Sequence, residues 1–173
     1  MNTKTNYSYT TSVDSYLGQQ KSHRRKLLVF QIGTLNLAMP VESVKKITHY
    51  TPMEGSGTTA VGLIYVDQRE LTAIDLHKRL FRTPQPQKEG KQFLILAKNS
   101  IDELFGILVP QTPSLLELPI NQIRTLPDSY RRGDTLEIAS HVTRIEENEQ
   151  LLTVFILDVD LLVPPMGMGD FVF

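Results

Sequence analysis

Apolar residues alternate with polar ones in short runs along most of this chain, and a period of two marks strands with one face buried. Leu28, Phe30 and Ile32 alternate, Gly33-Thr34 intervenes, and Leu35, Leu37 and Met39 alternate again. Two such runs around a Gly-first pair predict a hairpin with a type II′ turn, whose first central residue needs positive φ. Val41, Val44 and Ile47 recur every third residue and predict a short helix of one or two turns. Thr48 to Gly57 reads as a strand end followed by a loop broken by Pro52, Gly55 and Gly57. Val61–Val66 and Leu71–Ile74 flank Asp67-Gln68-Arg69-Glu70, a second expected hairpin with a polar tip, and Leu76–Phe81 reads as a last short turn. Residues 82–90 hold two prolines and few apolar groups and read as a linker.

The second half repeats the style. Phe93–Leu96 and Leu104–Val109 are expected strands around the polar turn Lys98–Glu103, and Leu115–Ile123 reads as extended and broken at Pro119. Leu136–Ile145 alternates loosely, Glu146–Gln150 is a charged turn, and Leu151–Leu157 is strongly apolar. Ile74-Asp75-Leu76 with Leu80 is faintly echoed by Leu157-Asp158-Val159 with Leu161 and Leu162. Many short strands at this spacing predict an all-β fold of barrels or sandwiches and argue against a βαβ fold.

Composition narrows the class. The 173 residues are 40% hydrophobic and 21% charged, enough for one ordinary domain or two very small ones. There is no cysteine, which removes disulfides, thiolate metal sites and a Cys nucleophile together. The net charge of −1 conceals an asymmetry: residues 1–26 carry +4 and the remainder −5. A flexible basic arm over 1–25 therefore precedes a mildly acidic body, and Pro164–Phe173 forms a more apolar tail. Met1–Thr11 is polar, and no apolar run approaches the roughly 18 residues needed to span a bilayer. The expectation is a cytosolic protein without membrane insertion.

Chemistry is scarce. His23, His49, His77 and His141 fall at no metal-ligand spacing. Gly55-Ser56-Gly57-Thr58-Thr59 lacks the lysine of a phosphate-binding P-loop, and no Ser/His/Asp set can be assembled. Asp75 and Asp158 each follow a strand, where Asp usually accepts from a local backbone N–H. No catalytic residue, metal or cofactor is expected. A nucleic-acid-binding barrel would interleave aromatics with Lys/Arg on one face, whereas Phe30, Phe93 and Phe155 sit in apolar runs and the body repels phosphate. A small-ligand- or nucleotide-binding barrel remains the alternative to an adaptor.

The order of these features resembles the CheW-like domain, the coupling module of bacterial chemotaxis-type systems, from about Lys26 to Val163. Leu27–Gly33 looks like that family's first strand and turn, and Met39–Ile47 like the strand and short helix that follow. Gly62-Leu63-Ile64-Tyr65 through Ala73-Ile74-Asp75-Leu76 is similar to its most recognisable stretch, and Phe105–Val109 and Thr153–Asp158 to its later strands. The resemblance implies two small five-stranded SH3-like β-barrels, expected here at about 26–81 and 91–163 and joined by 82–90. It implies a non-catalytic adaptor, recruited to receptor arrays, that binds a CheA-type histidine kinase and a chemoreceptor's cytoplasmic tip.

By that resemblance the partner-binding residues are Val41, Val44, Lys46, Ile47, Asp67 and Gln68, with Val41 or Val44 turned outward from the short helix. Departures from the family pattern are specific. Asp67-Gln68 stand where Arg-Gly is usual, Thr72 where Pro is, Lys46 where Glu is, and Pro110 where Asp is common. They leave the pathway open between flagellar, pilus-driven and light-directed movement. Lys46 and Asp67 depart with opposite signs, so either they face one another or they face a common partner; discrimination among partners is the favoured reason.

Overall fold

The computed structural model describes residues 23–50, 53, 59–86, 92–131 and 136–163. Most of the expected arm, the second half of the expected linker and the tail 164–173 lie outside the described residues.

Hairpins are the unit of construction. Strands β1 (Arg24–Ile32) and β2 (Leu35–Pro40) pair antiparallel, with Ile32 opposite Leu35. Gly33 closes them at φ 56°, as the Gly-first turn requires, and a Cβ there would lie 2.6 Å from the Phe81 ring. β4 (Val61–Val66) and β5 (Arg69–Ile74) close through Asp67 and Gln68, both at positive φ. β6 (Phe93–Lys98) pairs with β7 (Leu104–Val109). In their turn the buried Asn99 accepts from the Ile101 and Glu103 backbone N–H groups at 3.1 and 3.0 Å. The remaining strands are β3 (Val44–His49), β8 (Ser114–Pro119), β9 (Arg124–Thr125), β10 (Ala139–Glu147) and β11 (Gln150–Leu157).

Pairing between hairpins does not follow chain order. One sheet runs β8-β1-β2-β11-β10-β9 and the other β3-β6-β7-β5-β4. Each sheet contains one parallel junction, β11 on β2 and β5 on β7, flanked by antiparallel pairs. The five strands β3-β6-β7-β5-β4 correspond one for one to β8-β1-β2-β11-β10, with β9 as an addition. In the first sheet, however, the last two strands of the unit come first in the chain. The expected division into 26–81 and 91–163 therefore does not describe the sheets: β1 and β2 complete a sheet whose other strands begin at Ser114, and residues 82–90 connect elements of one sheet.

The core explains why the two sheets stay together. Along β1, Leu28, Phe30 and Ile32 point one way and Leu27 and Val29 the other, as a pleated strand requires. The first set joins Leu37 and Met39 of β2 and Ile95, Phe105 and Ile107 of the opposing sheet in one large buried layer. The second set fills the interior of its own barrel with Ala38, Leu118, Val154 and Ile156. Ile64, Ala73, Leu94, Leu96 and Leu108 fill the other barrel. Each fully buried large aliphatic or aromatic side chain is worth about 1.5–3 kcal/mol, so the layer between the sheets outweighs either interior.

Among the described residues three short helices sit where the chain turns away from a strand: α1 (Leu76–Phe81), α2 (Asp128–Arg131) and α3 (Val159–Leu162). α1 and α3 occupy corresponding places, and the faint echo around Asp75 and Asp158 is their start. The Asp75 N–H donates to Ala60 O at 2.8 Å, and the Asp158 N–H to Ile138 O at 2.9 Å. Each carboxylate then accepts a helix N–H, from Lys78 and Asp160 respectively. Asp75 also accepts from the Gln85 N–H at 3.0 Å, which fastens the start of the expected linker. Arg79 of α1 ties the two helices together, donating to Leu162 O at 3.0 Å and Leu161 O at 3.3 Å. Burial pushes its guanidinium below the ordinary arginine range, opposed by the field of Glu137, and it stays a cation at neutral pH.

Two local expectations are corrected. The segment after β2 is a single 3-10 turn, Val41–Ser43, and Val44 already belongs to β3. The three-residue spacing arises from a bulge between Val44 and Lys46 in the pairing with β6, which leaves Val44 opposite Ala97 and Ile47 opposite Ile95. The bulge puts both on one face of the strand, where Val44 packs against the layer between the sheets and Ile47 stays 40% exposed, although an odd separation in a regular strand would oppose them. The basic arm also ends earlier than expected. Arg24 and Arg25 lie in β1 opposite Pro119 and Leu118, and Arg24 pairs with Glu117 at 3.1 Å.

Because one apolar layer belongs to both sheets, urea unfolding is expected to give one transition, coincident by circular dichroism and fluorescence-probe labelling. A fragment of residues 23–86 should give a collapsed amide proton spectrum. Arg79→Ala is expected to destabilise the protein by about 1.5–3 kcal/mol, read from the urea midpoint, because two carbonyls lose a charged donor.

Candidate functional site

β3 and β4 are the two edges of the five-stranded sheet, with no backbone ladder between them. Lys46 lies in β3, where it opposes Leu96, and Asp67 is the first residue beyond β4. The Lys46 ammonium donates to the Asp67 carboxylate across that open seam. The two positions with opposite-sign departures thus meet each other. Their side chains remain 43% and 75% exposed, so the pair contributes at most about 1 kcal/mol and is screened by salt. Asp67 and Gln68 hold φ of 50° and 65°, a left-handed turn that favours Asn-Gly and costs a β-carbon-bearing residue such as Gln68 about 1 kcal/mol.

The remaining expected site residues are divided. Val41 and Val44 are half-buried against the layer between the sheets, so neither is the outward residue of this segment. Ile47 takes that role at 40% exposure. Gln68 stands exposed in the turn beside Asp67. Val41 and Val44 border the shared layer, Ile47 is exposed, and Lys46, Asp67 and Gln68 lie at the seam of one barrel.

Sequence reasoning missed an apolar stripe beside that seam. On β4, Gly62 and Ile64 point into the barrel, and Val61, Leu63 and Tyr65 point outward at 43%, 41% and 51% exposure. The Tyr65 hydroxyl donates to Glu70 on β5 at 2.7 Å. The run Val-Gly-Leu-Ile-Tyr-Val reads as uniformly apolar, and only its place at a sheet edge reveals which half is bare. Leu115 was missed for the same reason: it pairs with the buried Leu28 but lies on edge strand β8, 74% exposed.

The chemistry of the described residues is structural. His49 packs on Phe93 and His77 on Phe81, with ring centroids 5.6 and 4.9 Å apart. His141 meets the Ser140 hydroxyl at 2.7 Å. Asp75 and Asp158 are helix caps, as the sequence predicts. Most of the stretch 55–59 lies outside the described residues. Each barrel interior is lined by apolar side chains, and a cleft of about 370 Å³ reaches Leu27 and Ile156 of the first.

Residues 26–164 match the family model described as CheW-like domain. This chain belongs to the CheW-like domain family. The fold agrees: the crystal structure of the scaffolding protein TtCheW from Thermoanaerobacter tengcongensis superposes with a TM-score of 0.65 at 13% identity, covering 92% of this chain and 93% of that one. No curated protein matches the chain. Membership makes it a non-catalytic scaffold of chemotaxis-type signalling that interacts with other proteins of such systems. Among the described residues no helix is long and apolar enough to cross a membrane.

Gln68→Gly is expected to stabilise the CheW-like domain by about 0.5–1 kcal/mol, because glycine adopts the turn without the β-carbon penalty. A double-mutant cycle of Lys46→Ala and Asp67→Ala, read by urea midpoints, should give a coupling under about 1 kcal/mol that fades in 1 M salt.

Proposed function

We propose that this chain couples the cytoplasmic tip of a chemoreceptor to a CheA-type histidine kinase, in the cytoplasm at a membrane-bound receptor array. The family match over nearly the whole described chain supports an adaptor. The single observation that carries the choice of surface is the ion pair Lys46–Asp67 beside an apolar stripe that is 41–51% exposed at a sheet edge.

The physical argument separates stability from recognition. An exposed pair worth at most about 1 kcal/mol is a poor reason to hold two charges at one seam. Charges at the rim of an apolar contact act instead on the choice of partner, because a like charge brought against them costs more than the pair returns. Ile47, Val61, Leu63 and Tyr65 supply the apolar centre; Lys46, Asp67 and Gln68 supply the rim. With the usual signs reversed at the pair, the surface rejects a kinase or receptor built for the common arrangement and accepts one with matching reversal. Val41 and Val44 support this surface from beneath rather than forming it. The pathway served, whether flagellar, pilus-driven or light-directed, follows from which partners carry that reversal.

The test is binding of the cognate kinase's regulatory domain by titration calorimetry. Lys46→Glu with Asp67→Arg should lose the cognate kinase and gain a kinase of standard signs, while each single substitution weakens both. Ile47→Asp should weaken kinase or receptor binding at least tenfold with little change in melting temperature. Val44→Asp, in contrast, should lower the melting temperature. Unchanged cognate binding by the reversed pair would remove partner choice from these two residues. Absence of binding to any CheA-type kinase encoded beside this chain would remove the coupling role itself.

A further inference from the structure

A second surface lies on the other barrel, away from the Lys46–Asp67 seam. β9 pairs with β10 through Arg124 opposite Val142, and β10 pairs with β11 through Val142 opposite Phe155 and Arg144 opposite Thr153. Arg124, Val142 and Phe155 thus form one cross-strand row, and Arg144 begins the next row on the same face. Tyr130 of α2, 60% exposed, and Gln122 complete a groove of about 680 Å³ floored by Val142 and Phe155.

Its charge is one-sided. Among the described residues, Arg124 and Arg144 line the groove, no carboxylate does, and neither arginine has an ion-pair partner. The neighbouring cleft at Arg79 and Arg131 is different, because Asp128 and Glu137 line it too. Two uncompensated cations side by side are unusual in a body that carries net negative charge. They repel one another unless an anion lies between or across them. Glu146, two residues beyond Arg144 on the same strand face, is exposed and closes that end to further negative charge.

We infer that this groove binds a short, extended, acidic segment of a partner protein, with two carboxylates at alternate positions and an apolar or aromatic residue two positions beyond them. The spacing supports an extended peptide. Diagonal neighbours on adjacent antiparallel strands lie about 7–8 Å apart, and alternate residues of an extended chain about 6.6 Å apart on one side. Each carboxylate then meets one guanidinium, where paired N–H···O bonds are available. The residue between them points away from the arginines, and an apolar residue two positions beyond either carboxylate lies on the same side as they do and reaches Val142, Phe155 or the Tyr130 ring. A nucleotide would bring the same negative charge, but both arginines are exposed rather than enclosed, and the groove has no closed pocket for a base.

The experiment uses the full chain and a fluorescein-labelled peptide containing Phe-Ser-Glu-Ser-Glu-Ser-Phe, read by anisotropy at low and high salt. Binding should weaken about tenfold or more when both glutamates become glutamine, and again when salt is raised. Arg124→Glu with Arg144→Glu should abolish it with an unchanged melting curve, whereas Arg69→Glu on the other barrel should leave it intact. No binding at millimolar peptide, equal binding of the glutamine peptide, or indifference to the arginine pair would each overturn the inference. ATP displacing the peptide at much lower concentration, with the same loss in the double variant, would replace the acidic segment with a small anion.

Discussion

The apolar layer between the two sheets is the interaction on which the rest depends. Every strand that contributes to it is pleated, so its inward residues alternate with residues assigned to a barrel interior, and the two kinds of core are set by one register. A slip of one residue in β1 would exchange Leu28, Phe30 and Ile32 for Leu27 and Val29, emptying the shared layer and overfilling a barrel. The helix caps Asp75 and Asp158, the Arg79 bonds to α3 and the Gly33–Phe81 contact all sit at the border of this layer. Exposed apolar side chains are left at the outer edges, where strands have run out of partners.

Those edges explain how one architecture carries different surfaces. β4 and β10 occupy corresponding places in their sheets, each beside the strand that makes the parallel junction. On β4 the outward positions are Val61, Leu63 and Tyr65. On β10 they are Val142 and Arg144, with the two residues of β9 laid alongside. The two barrels therefore present chemically unlike outer faces, an apolar stripe on one and a groove with two arginines on the other.

Hairpins and most strands were legible in the sequence, because period-two alternation and a two-residue break are local signals. Gly33, the tip at Asp67-Gln68 and the turn before Leu151 all mark real reversals. The spacing of Val41, Val44 and Ile47 misled because a bulge at Lys45 puts residues three apart on one face of a strand, which imitates a helix. Sheet membership was not legible at all. Nothing local in β1 and β2 states that their neighbours are β8 and β11, more than seventy and a hundred residues further on. Edge exposure was hidden for the same reason: Leu115 and Leu63 sit in runs as apolar as any in the core. The opposed departures at Lys46 and Asp67 did report proximity, whereas Arg124 and Arg144, twenty residues apart, carried no such mark.

The chain order within the first sheet has a consequence for biosynthesis. β1 and β2 leave the ribosome first, yet Leu28 pairs with Leu115 and Ala38 with Ile156. At a synthesis rate of about 5–20 residues per second, the first hairpin waits on the order of ten seconds for its last neighbour. During that interval both of its edges are open and its apolar faces lack most of their cover, the condition in which strands pair with the wrong chain. The five-stranded sheet, contiguous from Val44 to Val109, is complete well before then. It offers the waiting hairpin one correct surface, the side of the sheet bearing Ile95, Phe105 and Ile107, so the half of the molecule made in one piece serves as the template on which the divided half is assembled.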